Sequence, residues 1–191
     1  MGEHVQAPFG NFATVRRAVE IPEQLVGPVA DALKNWDARA AESVLYVDTD
    51  PEKADTAVFS AAYDVPLDVS ANCVVVAAKR GGTTTLAACL ALAGTRVDVN
   101  TAVRKQLDAR KASFAPLETA VAESGMEYGG ITPVGLPAAW PLLIDAAVPE
   151  VPFVLVGSGR RRGKLVLPGW ALAALPGAVL LPALATPNPA L

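Results

Sequence analysis

The order of elements along this chain predicts an α+β fold built on a mixed, mainly antiparallel sheet. Three observations carry the expectation. An apolar run at 72–78 (Asn-Cys-Val-Val-Val-Ala-Ala) turns through Lys79-Arg80-Gly81-Gly82 into a second strand over 83–92, which makes a hairpin. A second strand pair, 153–156 and 164–167, flanks a turn of glycines and arginines. Helical stretches fall around these pairs without the steady strand-helix alternation of a doubly wound protein. At 191 residues and 52% hydrophobic, the chain is long enough to bury one core, and no internal repeat is visible.

Taken in order, residues 1–22 lack a clean period and read as an arm or a short leading element. Pro22 can open a helix that Gly27-Pro28 interrupts, and residues 29–41 place Val29, Leu33, Trp36 and Ala40 at helical spacing. A short strand is expected at 43–47, a polar turn at 48–53, and a helix at 54–63 with Val58 and Phe59 facing inward. The run at 72–78 is continuous enough to be covered on both faces. Asp98 or Asn100 can cap a helix to about residue 109. Ser113 with Pro116 starts another helix, which Gly125 stops. Strands follow at 141–146 and 153–156, the latter leading through 157–163 to its partner at 164–167. Pro168 opens a last helix through residue 175.

Composition bounds the function. No apolar run follows a basic segment at the amino terminus, so no secretory signal is expected. The most apolar region, 165–191, is broken by Pro168, Gly169, Pro176, Gly177 and Pro182; it falls short of the roughly 18 to 20 residues of a membrane span and reads as core. Cys73 and Cys89 lie in apolar surroundings with no paired-ligand spacing, which favours reduced thiols and a cytoplasmic protein. Cys73 is rejected as a nucleophile, because a buried thiol with no histidine or cation beside it stays protonated. His4 is the only histidine, so a histidine-based metal site or a Ser/Cys-His pair is not expected. The formal charge of -3 hides an asymmetry: residues 1–70 carry 5 Lys and Arg against 12 Asp and Glu, a net of -7, and residues 71–191 carry 11 against 7, a net of +4. The basic residues cluster at Lys79-Arg80, Arg104-Lys105, Arg110-Lys111 and Arg160-Arg161-Arg162 with Lys164. Such clusters are either solvated surface or, on one face, a site for phosphates. Tight sequence-independent binding to duplex nucleic acid is not expected of an acidic chain.

The densest signal is Gly129-Gly130-Ile131-Thr132-Pro133-Val134-Gly135. Glycines leave main-chain amides uncovered, and Pro133 fixes its own φ and restricts Thr132 to extended conformations. Such a loop is either a tight connection between strands or a cradle presenting N–H groups to a carbonyl or a phosphate.

From about residue 44 to 179 the chain resembles the YbaK/EbsC family of aminoacyl-tRNA deacylases, whose fold is also inserted as an editing domain in bacterial prolyl-tRNA synthetases. Four pieces carry the resemblance, in the right order. They are the 72–76 strand, the 129–135 loop as the family's GxxxP loop, Leu143-Ile144-Asp145-Ala146 as its aspartate-bearing strand, and Val156-Gly157-Ser158-Gly159 with the basic turn after it. The resemblance implies a barrel-like core with surrounding helices; with it the chain is divided into an editing domain at 29–185, a tail at 186–191 and an arm or extension at 1–28, which lies outside the match.

By the same resemblance, the activity is hydrolysis in trans of the ester joining a wrong amino acid to the end of a tRNA, assisted by a bound water and the tRNA's own ribose hydroxyl, with no metal and no cofactor. The partners implied are the acceptor end of a mischarged tRNA and, beyond it, an aminoacyl-tRNA synthetase; no membrane is involved. Gly129, Gly130 and Thr132 of the loop, with Asn72 and Asp145, are the implied catalytic set. Pro133, Gly135, Gly157, Ser158, Gly159, Arg160 and Arg161 are implied to bind substrate, the arginines (with Arg162) near acceptor-end phosphates.

Asp145, flanked by apolar residues, needs hydrogen bonds if buried; it either anchors the glycine loop through backbone N–H groups or orients water. At the start of the first central strand, where active family members carry a lysine, this chain has Asn72. Asn72 serves as a neutral oxyanion donor, a basic residue such as Lys79 or Lys105 reaches in, or the site binds aminoacyl-tRNA or an aminoacyl-nucleotide without hydrolysing it. A protein-interaction module using the apolar carboxy-terminal segment is a third class of function.

Overall fold

The computed structural model describes residues 5–189; His4 lies outside the described residues. In chain order the elements are β1 (Val15–Arg17), α1 (Gly27–Asn35), α2 (Ala38–Glu42), β2 (Leu45–Val47), α3 (Thr56–Tyr63), β3 (Ala71–Arg80), β4 (Thr83–Leu92), β5 (Thr95–Val97), α4 (Arg104–Gln106), β6 (Lys111–Phe114), α5 (Leu117–Ser124), β7 (Leu142–Asp145), β8 (Phe153–Gly157), β9 (Lys164–Pro168), α6 (Gly169–Ala173), β10 (Ala178–Leu181) and β11 (Ala185–Pro187). They form a five-stranded sheet in the order β10-β7-β4-β3-β6, a four-stranded sheet in the order β1-β2-β9-β8, and the short pair β11-β5. All pairings are antiparallel except β4 with β7 and β7 with β10. The fold is thus mixed α+β, and neither large sheet closes into a barrel.

Apolar residues from both large sheets share the main core, with Ala88, Leu90, Leu142 and Ile144 on one side and Val154, Val156, Leu165 and Leu167 on the other. Val29 and Leu33 of α1 and Leu172 of α6 pack into it. The opposite face of the five-stranded sheet is covered in turn, Val76, Cys89 and Leu143 packing with Val99, Val103 and Leu184. Burial on both faces is the reason β3 and β4 read as apolar runs rather than alternating strands. A third cluster joins Val47, Leu155 and Val166 to Phe59 and Val65, with Phe9 and Phe12 packed against it.

Several expectations are corrected. The helix expected at 29–41 is two: the chain is extended at Trp36, and the Asp37 carboxylate accepts from the Ala40 N–H at 3.1 Å to begin α2. Gly27-Pro28 opens α1 rather than interrupting a helix begun at Pro22, where only a single 3-10 turn forms. Val58 is 49% exposed, so α3 buries Phe59 without it. Ser113 lies in β6, a strand hidden by its mixed composition, and the helix after it starts at Leu117. Of the segment read as an arm or a short leading element, residues 15–17 form β1, which pairs with β2, and Ala18, Ile21 and Leu25 are buried. The carboxy-terminal segment is core only in part, since Val179 and Leu180 on the sheet edge are 37% and 46% exposed. Asp37→Ala removes the α2 cap, and a loss of about 1 kcal/mol is expected in urea unfolding.

Candidate functional site

Ser70, just before β3, makes a parallel bridge to Leu155 in the middle of β8, which brings the two large sheets together beside the site. The site is a cavity of about 450 Å³. Its walls come from Cys73 and Val75 on β3, Phe114 of β6, Leu117 and Ala120 of α5, and Leu155 and Val156 of β8. Phe59 of α3 and Ile131 of the glycine loop complete the apolar lining, while Thr56, Asn72, Gly129, Gly157 and Lys164 bring polar atoms to it. Phe114, Leu117 and Tyr128 are 55%, 49% and 60% exposed, so the mouth has an apolar, aromatic rim.

Among the residues expected from sequence, Asn72, Gly129 and Gly157 line this cavity. The Asn72 amide oxygen accepts from the Thr56 hydroxyl at 3.3 Å. The rest of the glycine loop turns inward. The Gly130 N–H donates to the Glu127 carbonyl at 3.0 Å and the Thr132 N–H to Met126 Sδ at 3.5 Å, so neither amide is available to a ligand. Thr132 is fully buried away from the cavity, its hydroxyl without a partner among the described residues. Pro133 is buried, and Gly135, at φ +92, sits where an added Cβ would lie 2.6 Å from the Pro28 carbonyl carbon. This half of the loop fastens α1. Four loop amides, those of Gly129, Ile131, Val134 and Gly135, have no acceptor among the described residues, and of these Gly129 and Ile131 are at the cavity.

The 157–163 turn interlocks with the loop through main chain. Gly159 donates to the Gly130 carbonyl at 2.7 Å, and Glu127 donates to the Gly159 carbonyl at 2.9 Å. Ser158, buried, sets its hydroxyl within 3.0 to 3.1 Å of the carbonyls of Arg160, Arg162 and Gly163 and accepts from the Arg160 N–H, which holds the turn closed. The arginines are committed to protein acceptors. Arg160 reaches the Leu25 carbonyl, and Arg162 holds both Asp48 oxygens at 2.7 Å. That bidentate bond keeps the Asp48 carboxyl below the ordinary carboxylate range and raises the Arg162 guanidinium. Arg161 donates to the Pro51 carbonyl at 2.9 Å, lies 3.7 Å from Asp55 and stacks over Tyr128 at 5.7 Å, which brings it to the cavity rim.

Asp145 does not reach the glycine loop, correcting the expectation that it anchors it. Its carboxylate accepts from the N–H groups of Ala147 at 3.0 Å and Ala185 at 2.9 Å, tying the end of β7 to β11. The run Leu-Leu-Ile before it fixes the strand, and the turn after it supplies the nearer amide. Asp145→Ala therefore leaves two N–H groups short of an acceptor, and a loss of about 2 kcal/mol in urea unfolding is expected.

Lys79 and Lys105 do not line the cavity; the ammonium that enters it is that of Lys164. Lys164 is 7% exposed, and its Nζ lies 5.4 Å from the Phe59 ring centroid with no hydrogen bond or ion pair among the described residues. Burial, and next the nearby Arg161 charge, push it down from 10.5 to about 8. In sequence Lys164 falls in one basic cluster with the three arginines before it. The overlooked signal is position: β9 is flanked by β2 and β8, so its first residue starts a strand buried from Lys164 to Pro168. Burial raises the Cys73 thiol above its ordinary value of 9.0, which keeps it protonated in the cavity wall.

Residues 50–175 match the family model described as the aminoacyl-tRNA editing domain. Among solved structures, the chain superposes with a TM-score of 0.68 on a candidate trans-editing enzyme for prolyl tRNA synthetase, at 19% identity over 81% of this chain and 93% of that one. A hypothetical protein gives a TM-score of 0.68 at 18% identity over 79% of this chain and 97% of that one. A scaffold from work on computational epitope grafting also gives 0.68, at 19% identity over 82% and 95%. None of the curated proteins matches the sequence. Among the described residues no helix is long and apolar enough to cross a membrane.

Proposed function

Because the chain belongs to the family of aminoacyl-tRNA editing domains, we propose that it hydrolyses, in trans, the ester that joins a wrong amino acid to the 3′ end of a tRNA. The observation that carries this reading is the cavity: apolar walls of a volume suited to an aminoacyl group, with uncommitted loop amides at one side. In the reaction, a water oxygen bonds to the ester carbonyl carbon and the bond from that carbon to the ribose oxygen breaks. One water proton ends on the ribose hydroxyl; the other leaves as the released amino acid ionises. The difficult point is the oxyanion formed between these events, and a fixed main-chain donor aimed at it contributes about 3 to 4 kcal/mol in acyl transfer. The Gly129 and Ile131 N–H groups are the loop donors we assign to that oxygen. Asn72, steadied by Thr56, is a neutral third donor. The exposed aromatic rim and Arg161 receive the single-stranded acceptor end, where stacking on Tyr128 is tolerant of sequence.

A second reading has one observation in its favour. Asn72 carries no charge, and a neutral hydrogen bond is about half as strong as a charge-assisted one, so the cavity would bind aminoacyl-tRNA without turning it over. A panel of tRNAs, each charged with a non-cognate amino acid, separates the two. Release of free amino acid above the uncatalysed rate with the wild type supports the deacylase. Retention on a filter with no release, and release only with Asn72→Lys, supports the binder. Neither retention nor release overturns both.

A further inference from the structure

We infer that Lys164 is a catalytic residue of this cavity, its ammonium donating a hydrogen bond to the ester carbonyl oxygen and stabilising the negative charge that develops there. The inference rests on the deacylase reading and adds to it the charged group that Asn72 does not supply.

Three features of the structure carry it. First, Lys164 lines the same cavity as Gly129, Asn72 and Gly157, and it enters from the floor of β9 rather than from the rim. Second, its Nζ has no acceptor among the described residues, although buried lysines are ordinarily paired. Among the titratable groups lining the cavity, the carboxylate is Asp55, which lies 3.7 Å from Arg161 and is largely exposed; Cys73 and Tyr128 are the others. On the neighbouring strand β2, Val47 sits opposite Lys164, and the adjoining Asp48 is held by Arg162. The Phe59 ring face is close enough to fix the chain's direction without consuming a donor, and the Asp55 charge favours the ammonium without forming a hydrogen bond or ion pair to it. Third, a cation buried at a cost and given no structural partner is the arrangement of a group reserved for a ligand. The ligand chemistry that meets it is an oxygen bearing negative charge, and in a deacylase the ester oxygen acquires that charge. Lys164 keeps its proton throughout, so the balance of bonds and protons in hydrolysis is unchanged.

The test uses the whole chain and the mischarged tRNA it turns over fastest. Lys164→Met is expected to lower kcat at least about 100-fold with little change in KM, because the lost bond forms mainly in the transition state. Its folded state is checked by circular dichroism and urea unfolding. Wild-type activity is expected to fall as pH rises through about 8, where the ammonium deprotonates; in Lys164→Arg, on the same substrate, that fall moves to higher pH. A Lys164→Met enzyme within about 3-fold of wild type, or an alkaline limb identical in wild type and Lys164→Arg, overturns the assignment while leaving the deacylase reading in force. A wild type that releases no amino acid from any tRNA of the panel overturns the deacylase reading, and the assignment with it.

Discussion

Lys164→Met is expected to unfold at a higher urea concentration than the wild type at pH 7, a gain of about 2 to 3 kcal/mol. The sign follows from linkage. The folded chain holds the Lys164 proton only up to about pH 8, against an ordinary value of 10.5, while the unfolded chain holds it to the latter. Below pH 8 the side chain is charged in both states, and folding bears the cost of burying that charge, about 1.4 kcal/mol for each pH unit separating the two values. Between about 8 and 10.5 the unfolded chain binds more protons than the folded one, so wild-type stability rises with pH and the gap to Lys164→Met narrows. Loss of the contact with the Phe59 face subtracts about 1 kcal/mol. Methionine has a volume close to that of the lysine stem and fills the same space. Urea unfolding at pH 7 and pH 10 reads both parts; a Lys164→Met chain less stable than wild type at pH 7, or a gap that does not shrink at pH 10, contradicts the cost assigned to the ammonium.

Gly157→Ala is expected to cost about 3 kcal/mol of stability and at least 100-fold of deacylation rate. The backbone at Gly157 is ordinary extended strand, so the requirement for glycine comes from space alone. An added Cβ would stand 2.5 Å from the Gly130 carbonyl oxygen and 2.7 Å from that of Ile131, both main-chain atoms without rotamers to yield. The two loops must move apart. Overpacking of this kind costs about 1 to 3 kcal/mol, and the bond from Gly159 to the Gly130 carbonyl is weakened with it. The loop amides beside Gly157 are carried off by the same movement, and a misplacement near 1 Å is worth about 100-fold in rate. Steady-state deacylation with urea unfolding on the same preparation is the measurement. Wild-type rate in a folded Gly157→Ala chain would remove the glycine loop from the mechanism.

Much of this architecture is legible in the sequence because the informative features are local. The β3 and β4 runs and the glycine pair between them specify a hairpin, and the β4 span is met residue for residue at Thr83–Leu92. Pro116 and Gly125 bracket α5 for reasons of φ that need no tertiary context, Gly125 closing it at φ 68. The strands β5, β10 and β11 escape notice because they are short and take their pairing from distant segments. The site divides in the same way. The glycine-rich loop is visible in sequence and the family resemblance adds Asn72 and Gly157, which line the same cavity as Gly129. Which amides the loop spends on itself depends on Glu127 and Met126 folding under it, and whether an aspartate faces the loop or the far end of its strand depends on where β11 returns. Neither is encoded in spacing. Lys164 was hidden by its neighbours, since three arginines in a row suggest solvent while the fold turns the fourth cation inward.

The seam between the two loops is made of main chain and glycine, whereas the cavity walls are side chains from β3, β6 and α5. Under the proposed deacylation, the reacting geometry and the fit to an amino acid are therefore assigned to separate parts of the molecule. Exchanges at Cys73, Val75, Phe114 or Leu117 can enlarge or narrow the chamber while the seam stays shut. Under that proposal, a descendant of this chain would acquire a new cargo preference by altering a handful of wall positions, with the inherited seam left as it was.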